Sequence, residues 1–199
     1  MNILKTITLG LLFAGVTSFT ADNPPKPFMD LLDRAKLAFV NPAGLVETPS
    51  IENPQMNYEY AMKYADKKFE VRFAIRPLDE QIKDYEEKEK TKKPGETNTN
   101  PNALYASLFK MTVLNISGGD FESMADLDKQ TVKTEFNADW GAMAVLPIAM
   151  KEFGQSYKFC KVLAIHKDNV GDAFIFFLSD SKDGFDDLMK PAYHSLKFK

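Results

Sequence analysis

The chain has 199 residues, a formal net charge of −3 at pH 7 and a single cysteine. That length suits one domain with a sizeable core. The charge balance excludes electrostatic attraction to nucleic acid, and a lone Cys160 excludes an internal disulfide.

Lys5 is the only charge before Asp22. Behind it runs Ile7-Thr8-Leu9-Gly10-Leu11-Leu12-Phe13-Ala14-Gly15-Val16, apolar and ending in small residues. A basic start, a short apolar stretch and a small-residue exit predict a secretory signal peptide over residues 1–21. The stretch is shorter than the roughly 20 residues a membrane span needs. Val16 and Ser18 suit a cleavage site, whereas cleavage after Ala21 would put bulky Phe19 in a small-residue position. No cysteine near the exit offers a lipid attachment point. Asn23-Pro24-Pro25-Lys26-Pro27 then breaks the chain as a linker does. A linker and short helix are expected over 22–35 and one domain over 36–199. No later stretch is long and apolar enough to cross a membrane. The mature chain is therefore expected to be soluble and exported, periplasmic or secreted.

Phe28, Leu31, Leu32, Ala35 and Leu37 suit a short amphipathic helix, while Leu37 and Phe39 also suit the start of a strand. Asn41-Pro42-Ala43-Gly44 turns the chain. Met56, Tyr58, Tyr60, Met62 and Tyr64 alternate with Asn57, Glu59, Ala61 and Lys63. Phe69, Val71, Phe73 and Ile75 alternate with Lys68, Glu70, Arg72 and Arg76. Period two with one apolar face predicts two half-buried strands, paired as a hairpin across Ala65-Asp66-Lys67. Pro77 ends the second strand. Leu78 to Lys90 reads as a helix with Leu78, Ile82 and Tyr85 on one stripe. Its charged end leads into a polar loop up to Asn100, a mixed-sign surface with no binding signature.

Asn100-Pro101 signals a helix start by N-cap and first-turn proline. Leu104, Leu108, Met111 and Asn115 form one line, and Phe109, Val113 and Ile116 a neighbouring one. So broad an apolar face predicts deep burial. Gly118-Gly119 stops the helix. Asp120 to Asn137 is ambiguous, reading as a short helix around Met124 and Leu127 and a strand around Val132 and Phe136. Ala142–Ile148, Tyr157–Ile165 and Ala173–Leu178 are apolar runs. In the second, Phe159, Leu163 and Ile165 oppose Cys160, Val162 and Ala164. In the third, Ala173, Ile175 and Phe177 oppose Phe174, Phe176 and Leu178. Strands apolar on both faces must be covered on both faces. His166 to Gly171 forms the turn between them. A helix follows Asp183-Gly184-Phe185, and Tyr193 to Phe198 ties the end to the core. The expected fold is α/β of the α+β type. It has a mainly antiparallel sheet of about six strands, with helices on both faces, an α/β/α sandwich.

A hairpin, a helical insert, three more strands and a closing helix, in that order, resemble the Mog1/PsbP-like fold over roughly Lys36 to Lys199. The tail Tyr193-His194-Ser195-Leu196-Lys197-Phe198 is similar to the closing pattern of PsbP-like domains. The resemblance implies a mostly non-catalytic group of assembly factors, docking modules and accessory subunits. It carries no shared catalytic motif to transfer, and fold analogy alone is an associational warrant.

No residue set specifies catalysis, a metal or a cofactor. His166 and His194 lack partners at metal-ligand spacing, and His166-Lys167-Asp168 reads as an exposed turn. His194 beside the closing helix suits packing. Ser117 precedes Gly118-Gly119 at a helix end, not in a nucleophile elbow. Cys160 alternates with core residues and reads as an inert thiol. Asp139 and Asp186-Asp187 read as ordinary surface acids.

Candidate binding residues are aromatic. Trp140 opens the run Ala142–Ile148 behind Asn137-Ala138-Asp139. It is either an anchor at a partner surface or, more plainly, a core plug at a strand start. Tyr58, Tyr60 and Tyr64 share a predicted strand face with Met56 and Met62. That stripe is core, or an adaptable binding surface where no helix covers it. The leading functional expectation is a non-catalytic binding or assembly module with a protein partner in the cell envelope. Alternatives are a hydrolase built on His194, Ser195 and an acid, and a carrier of a small apolar ligand beside the Tyr/Met stripe.

Overall fold

The computed structural model describes residues 23–53 and 56–199, so the signal peptide expected over 1–21 lies outside the described residues. In chain order the first half contains α1 (Lys26–Arg34), β1 (Leu37–Phe39), β2 (Val46–Glu47), β3 (Tyr60–Lys63), β4 (Phe69–Pro77) and α2 (Asp79–Thr91). After a 3-10 turn at Pro101–Ala103 come α3 (Tyr105–Ser117), β5 (Ser123–Asp126) and α4 (Lys129–Thr131). A π turn at Val132–Phe136 prolongs α4. The last third holds β6 (Trp140–Pro147), α5 (Lys151–Gly154), β7 (Phe159–Lys167), β8 (Gly171–Ser179), α6 (Phe185–Tyr193) and β9 (Leu196–Phe198).

The doubly apolar runs form the centre of one antiparallel sheet of order β2-β3-β4-β8-β7-β6-β5. Every position of β8 is buried. Ala173, Ile175 and Phe177 of β8, with Leu163 and Ile165 of β7, enter one apolar layer. Phe174, Phe176 and Leu178, with Cys160, Val162 and Ala164, enter the other. The first layer is covered by α1, α6, the α4 segment and a small second sheet of β1 and β9. The second is covered by α3 and α5. The protein is thus α+β, with helices on both faces of the sheet.

Local chemistry explains the boundaries. Phe28 and Leu32, one turn apart on α1, are buried, and Phe28 stacks on Tyr60 at 4.8 Å between ring centres. Asn100 accepts a hydrogen bond from the Asn102 N–H, as an N-cap does. Gly118 closes α3 with φ of 69°, where a side chain would be strained. The closing strand β9 pairs with β1, and Leu196 and Phe198 are buried.

Four expectations need correction. First, the outer line of α3 is not buried: Leu104, Leu108 and Met111 are 36%, 41% and 59% exposed. The sheet offers α3 one face, and Phe109, Thr112, Val113 and Ile116 fill it. Second, the stretch 120–137 is the reverse of expectation. Ser123–Asp126 is a strand, and Val132 and Phe136 lie on helical turns. Their i, i+4 spacing serves one helical face, and the Asp128 carboxylate caps the segment through the Thr131 N–H at 3.0 Å. Third, the first hairpin strand begins at Tyr60, not Met56, so the Tyr/Met stripe splits. Tyr60 and Met62 enter the first layer, with Tyr64 packed against it. Tyr58 and Met56 join the second. Fourth, Glu70 and Arg72 do not face solvent; they are 8% and 1% exposed.

Candidate functional site

At one end of the sheet, four strands bring side chains of the second layer into register. Arg76 of β4 lies opposite Asp172 of β8. Asp172 lies opposite His166 of β7, and His166 opposite Trp140 of β6. The period of two puts all four on the face that α3 covers. The Tyr105 ring, from the first turn of α3, stacks on the His166 ring at 4.3 Å and 25°. It also meets Trp140 at 4.7 Å. Phe109, one turn on, reaches Trp140 edge-on at 5.8 Å.

His166 is 1% exposed, buried within β7 rather than at the surface of a turn. Its Nδ1 lies 2.7 Å from an Asp172 oxygen, and its Nε2 lies 2.9 Å from an Asp168 oxygen. A carboxylate can only accept from an imidazole nitrogen. With both carboxylates ionised, both ring nitrogens donate and the ring is an imidazolium. Burial pulls its pKa down, but the two carboxylates outweigh that and hold it above the ordinary histidine value. In that state the ring presents no lone pair, so it serves neither as a general base nor as a metal ligand. Among the described residues, no group of three His, Cys, Asp or Glu side chains is arranged to hold a metal.

The neighbouring turn is tied to the start of α3. The Asn102 side-chain amide donates to the Asn169 oxygen at 2.8 Å, and the Asn169 N–H donates back to Asn102 at 2.8 Å. The Asp168 N–H donates to Asp139 at 3.0 Å.

No protein-family model matches this chain, and no curated protein is significantly similar to it.

The other sequence candidates have the following neighbours. Trp140 is half-buried beneath α3, between Tyr105 and Phe109. Tyr60 is packed among Phe28, Phe39 and Phe73, and burial pushes its pKa up to about 12. Tyr64 is half-buried, with its hydroxyl donating to the Leu188 carbonyl at 3.4 Å. Tyr58 lines an open cleft with Ser50, Ile51, Glu52, Asn53 and Asn57. Ser195 is buried, and its hydroxyl donates to the Ala192 carbonyl at 2.7 Å. His194 stacks on Phe136 and pairs with Glu135 at 2.9 Å. The cluster that a hydrolase would need is not assembled there. Ser117 accepts from the Gly119 N–H at the helix end. Cys160 is fully buried, and burial pushes its thiol pKa up. Asp139 lies 3.6 Å from Lys133, Asp186 pairs with Lys161 at 2.5 Å, and Asp187 with Lys190 at 2.6 Å.

One charged pair was not expected to be inside. The Arg72 Nε donates to Glu70 at 2.5 Å, and a second nitrogen donates to the Phe153 carbonyl. The guanidinium lies between the Tyr58 and Phe153 rings, at 4.7 and 4.9 Å from their centres. The i, i+2 spacing of Glu70 and Arg72 shows that they share a strand face, but says nothing of what covers it.

Proposed function

We propose that this chain is an exported, non-catalytic binding module that engages a protein partner across the outer flank of α3. The carrying observation is the exposure of Leu104, Leu108 and Met111 at i, i+4 and i+7 along one line of that helix. Large apolar side chains so spaced are the anchors by which a helix enters an apolar groove on another protein. Lys110 is the one charged residue of α3, and depletion of charge marks the centre of interfaces. The partner's complementary feature is thus an uncharged groove of its own.

Two further points support the reading. His166, His194 and Ser195 are held in hydrogen bonds to neighbouring groups, and the Mog1/PsbP-like resemblance of the tail implies a mostly non-catalytic group. Lys5 and the apolar run behind it support export, and export would bring the flank to a partner in the cell envelope.

A photo-crosslinking residue at Met111 tests this, with Lys88 of the charged α2 as control position. The expected result is one discrete protein adduct from Met111 alone. Excess unlabelled protein should compete it away, and excess Leu108→Glu protein should not. Equal, diffuse labelling from both positions would overturn the reading.

A further inference from the structure

His166 is a buried cation held by two acids of unequal freedom. Asp172 is fixed in β8 with its side chain 5% exposed, whereas the Asp168 side chain, in the turn, is 60% exposed. We propose that His166, Asp168 and Asp172 form a proton-operated latch that seats the first turn of α3 on the sheet, and that loss of the imidazolium proton releases it. The inference concerns how α3 is held and stands whether or not its outer flank docks a partner.

A neutral imidazole keeps one N–H. The immobile Asp172 retains that hydrogen on Nδ1, so Nε2 turns a lone pair toward the Asp168 carboxylate. Two acceptors at 2.9 Å repel, and Asp168, being exposed, moves to water. Its departure disturbs the Asp168–Asn169 turn. Asn169 sits there at φ of 61° and holds Asn102 through both reciprocal bonds. Asn102 belongs to the turn immediately before α3. The Tyr105 ring, stacked on His166 at 4.3 Å, also loses the positive charge beneath it. The anchors of α3 to this end of the sheet therefore weaken together.

No neighbouring charge takes over. The groups around the ring are Asp172 from β8, Asp168 from the turn, Asp139 from the start of β6 and the Tyr105 phenol from α3. Asp139 has Lys133 at 3.6 Å. Arg76 of β4 lies opposite Asp172 but is committed to Glu59 and to the carbonyls of Ile75 and Asn57. The raised histidine pKa gives the sign. The latch is closed below about pH 6.5 and opens as pH climbs through the higher folded-state value.

Trp140 is the single tryptophan of the chain, and it touches the latch. Its emission, followed from roughly pH 5 to 9, should show one transition with a midpoint above that of free histidine. The Asp168→Asn variant should move the midpoint down by about half a unit or more. His166→Gln should abolish the transition, and His194→Gln should leave it in place. Amide protection factors over 102–109, taken relative to the intrinsic exchange rate at each pH, should fall across the same midpoint. Flat emission, a transition that survives His166→Gln, or protection factors over 102–109 that do not change with pH would overturn the latch. If His166→Gln does not fold, Asp168→Asn decides, because its substituted residue is exposed; an unmoved midpoint there overturns the proposal.

Discussion

Arg72 and Glu70 show what a single buried charge can demand. Taking a guanidinium out of water is tolerable only while its counter-ion and hydrogen bonds remain. Glu70→Ala leaves Arg72 with the Phe153 carbonyl and two aromatic faces. The expected loss is about 3–5 kcal/mol, measured as the change in urea unfolding free energy. A loss under about 1 kcal/mol would mean that the rings and carbonyl suffice. Cys160 offers a second check at this scale. Its full burial and upward-shifted thiol predict no reaction with an aqueous thiol reagent in the native state, and full reaction in denaturant. Modification of the folded protein would show that β7 opens to solvent. All three residues stand at alternating strand positions of the sequence. The thiol was recognisable as core because its neighbours are apolar. The ion pair was not, because polar residues on a strand face imply water unless something distant covers them.

Among the elements, α3 separates packing from display. Its inner line holds it to the sheet and its outer line faces solvent, so substitutions on the two should differ. Ile116→Ala is expected to cost about 2–5 kcal/mol in unfolding free energy. Leu108→Glu with Met111→Glu should stay within about 0.5 kcal/mol per site, while abolishing the crosslinked adduct. A large destabilisation by the outer pair would make that line part of the core. The edge between β6 and the α4 segment provides a tighter test. A Cβ at Gly141 would lie 3.1 Å from a Val132 methyl and 3.3 Å from the Ala164 carbonyl oxygen. Gly141→Ala should therefore cost about 1–3 kcal/mol by the same denaturation measurement. A neutral outcome would show that the α4 segment shifts to accommodate it. Helix amphipathicity made α3 legible as a helix. It could not say how much of a wide apolar face the rest of the molecule would cover. Val132 and Phe136, two apolar residues four apart, carry too little pattern to separate a helical turn from a strand.

At the scale of the whole molecule, stability ties the last strand to the first strand of the described residues. Leu196 and Phe198 bring β9 onto β1 and into the first layer, so Leu196→Ala should cost about 2–5 kcal/mol although it lies near the C-terminus. The seven-stranded sheet was foreseeable in its central part. Period-two alternation and runs apolar on both faces are local properties of the chain, and burying both faces forces covering layers. Those patterns determined the three C-terminal strands, the hairpin and the α+β class without reference to any other protein. The short edge strands β2 and β5 bury too little to leave such a pattern. Only the tertiary structure decided which polar groups share an interior. His166 meets Asp172, Asp168 and Tyr105 through strand register and helix placement, and Arg72 meets a carbonyl 81 residues away. The physical reason is that hydrophobic period is written residue by residue, whereas the cost of a charge depends on everything packed around it.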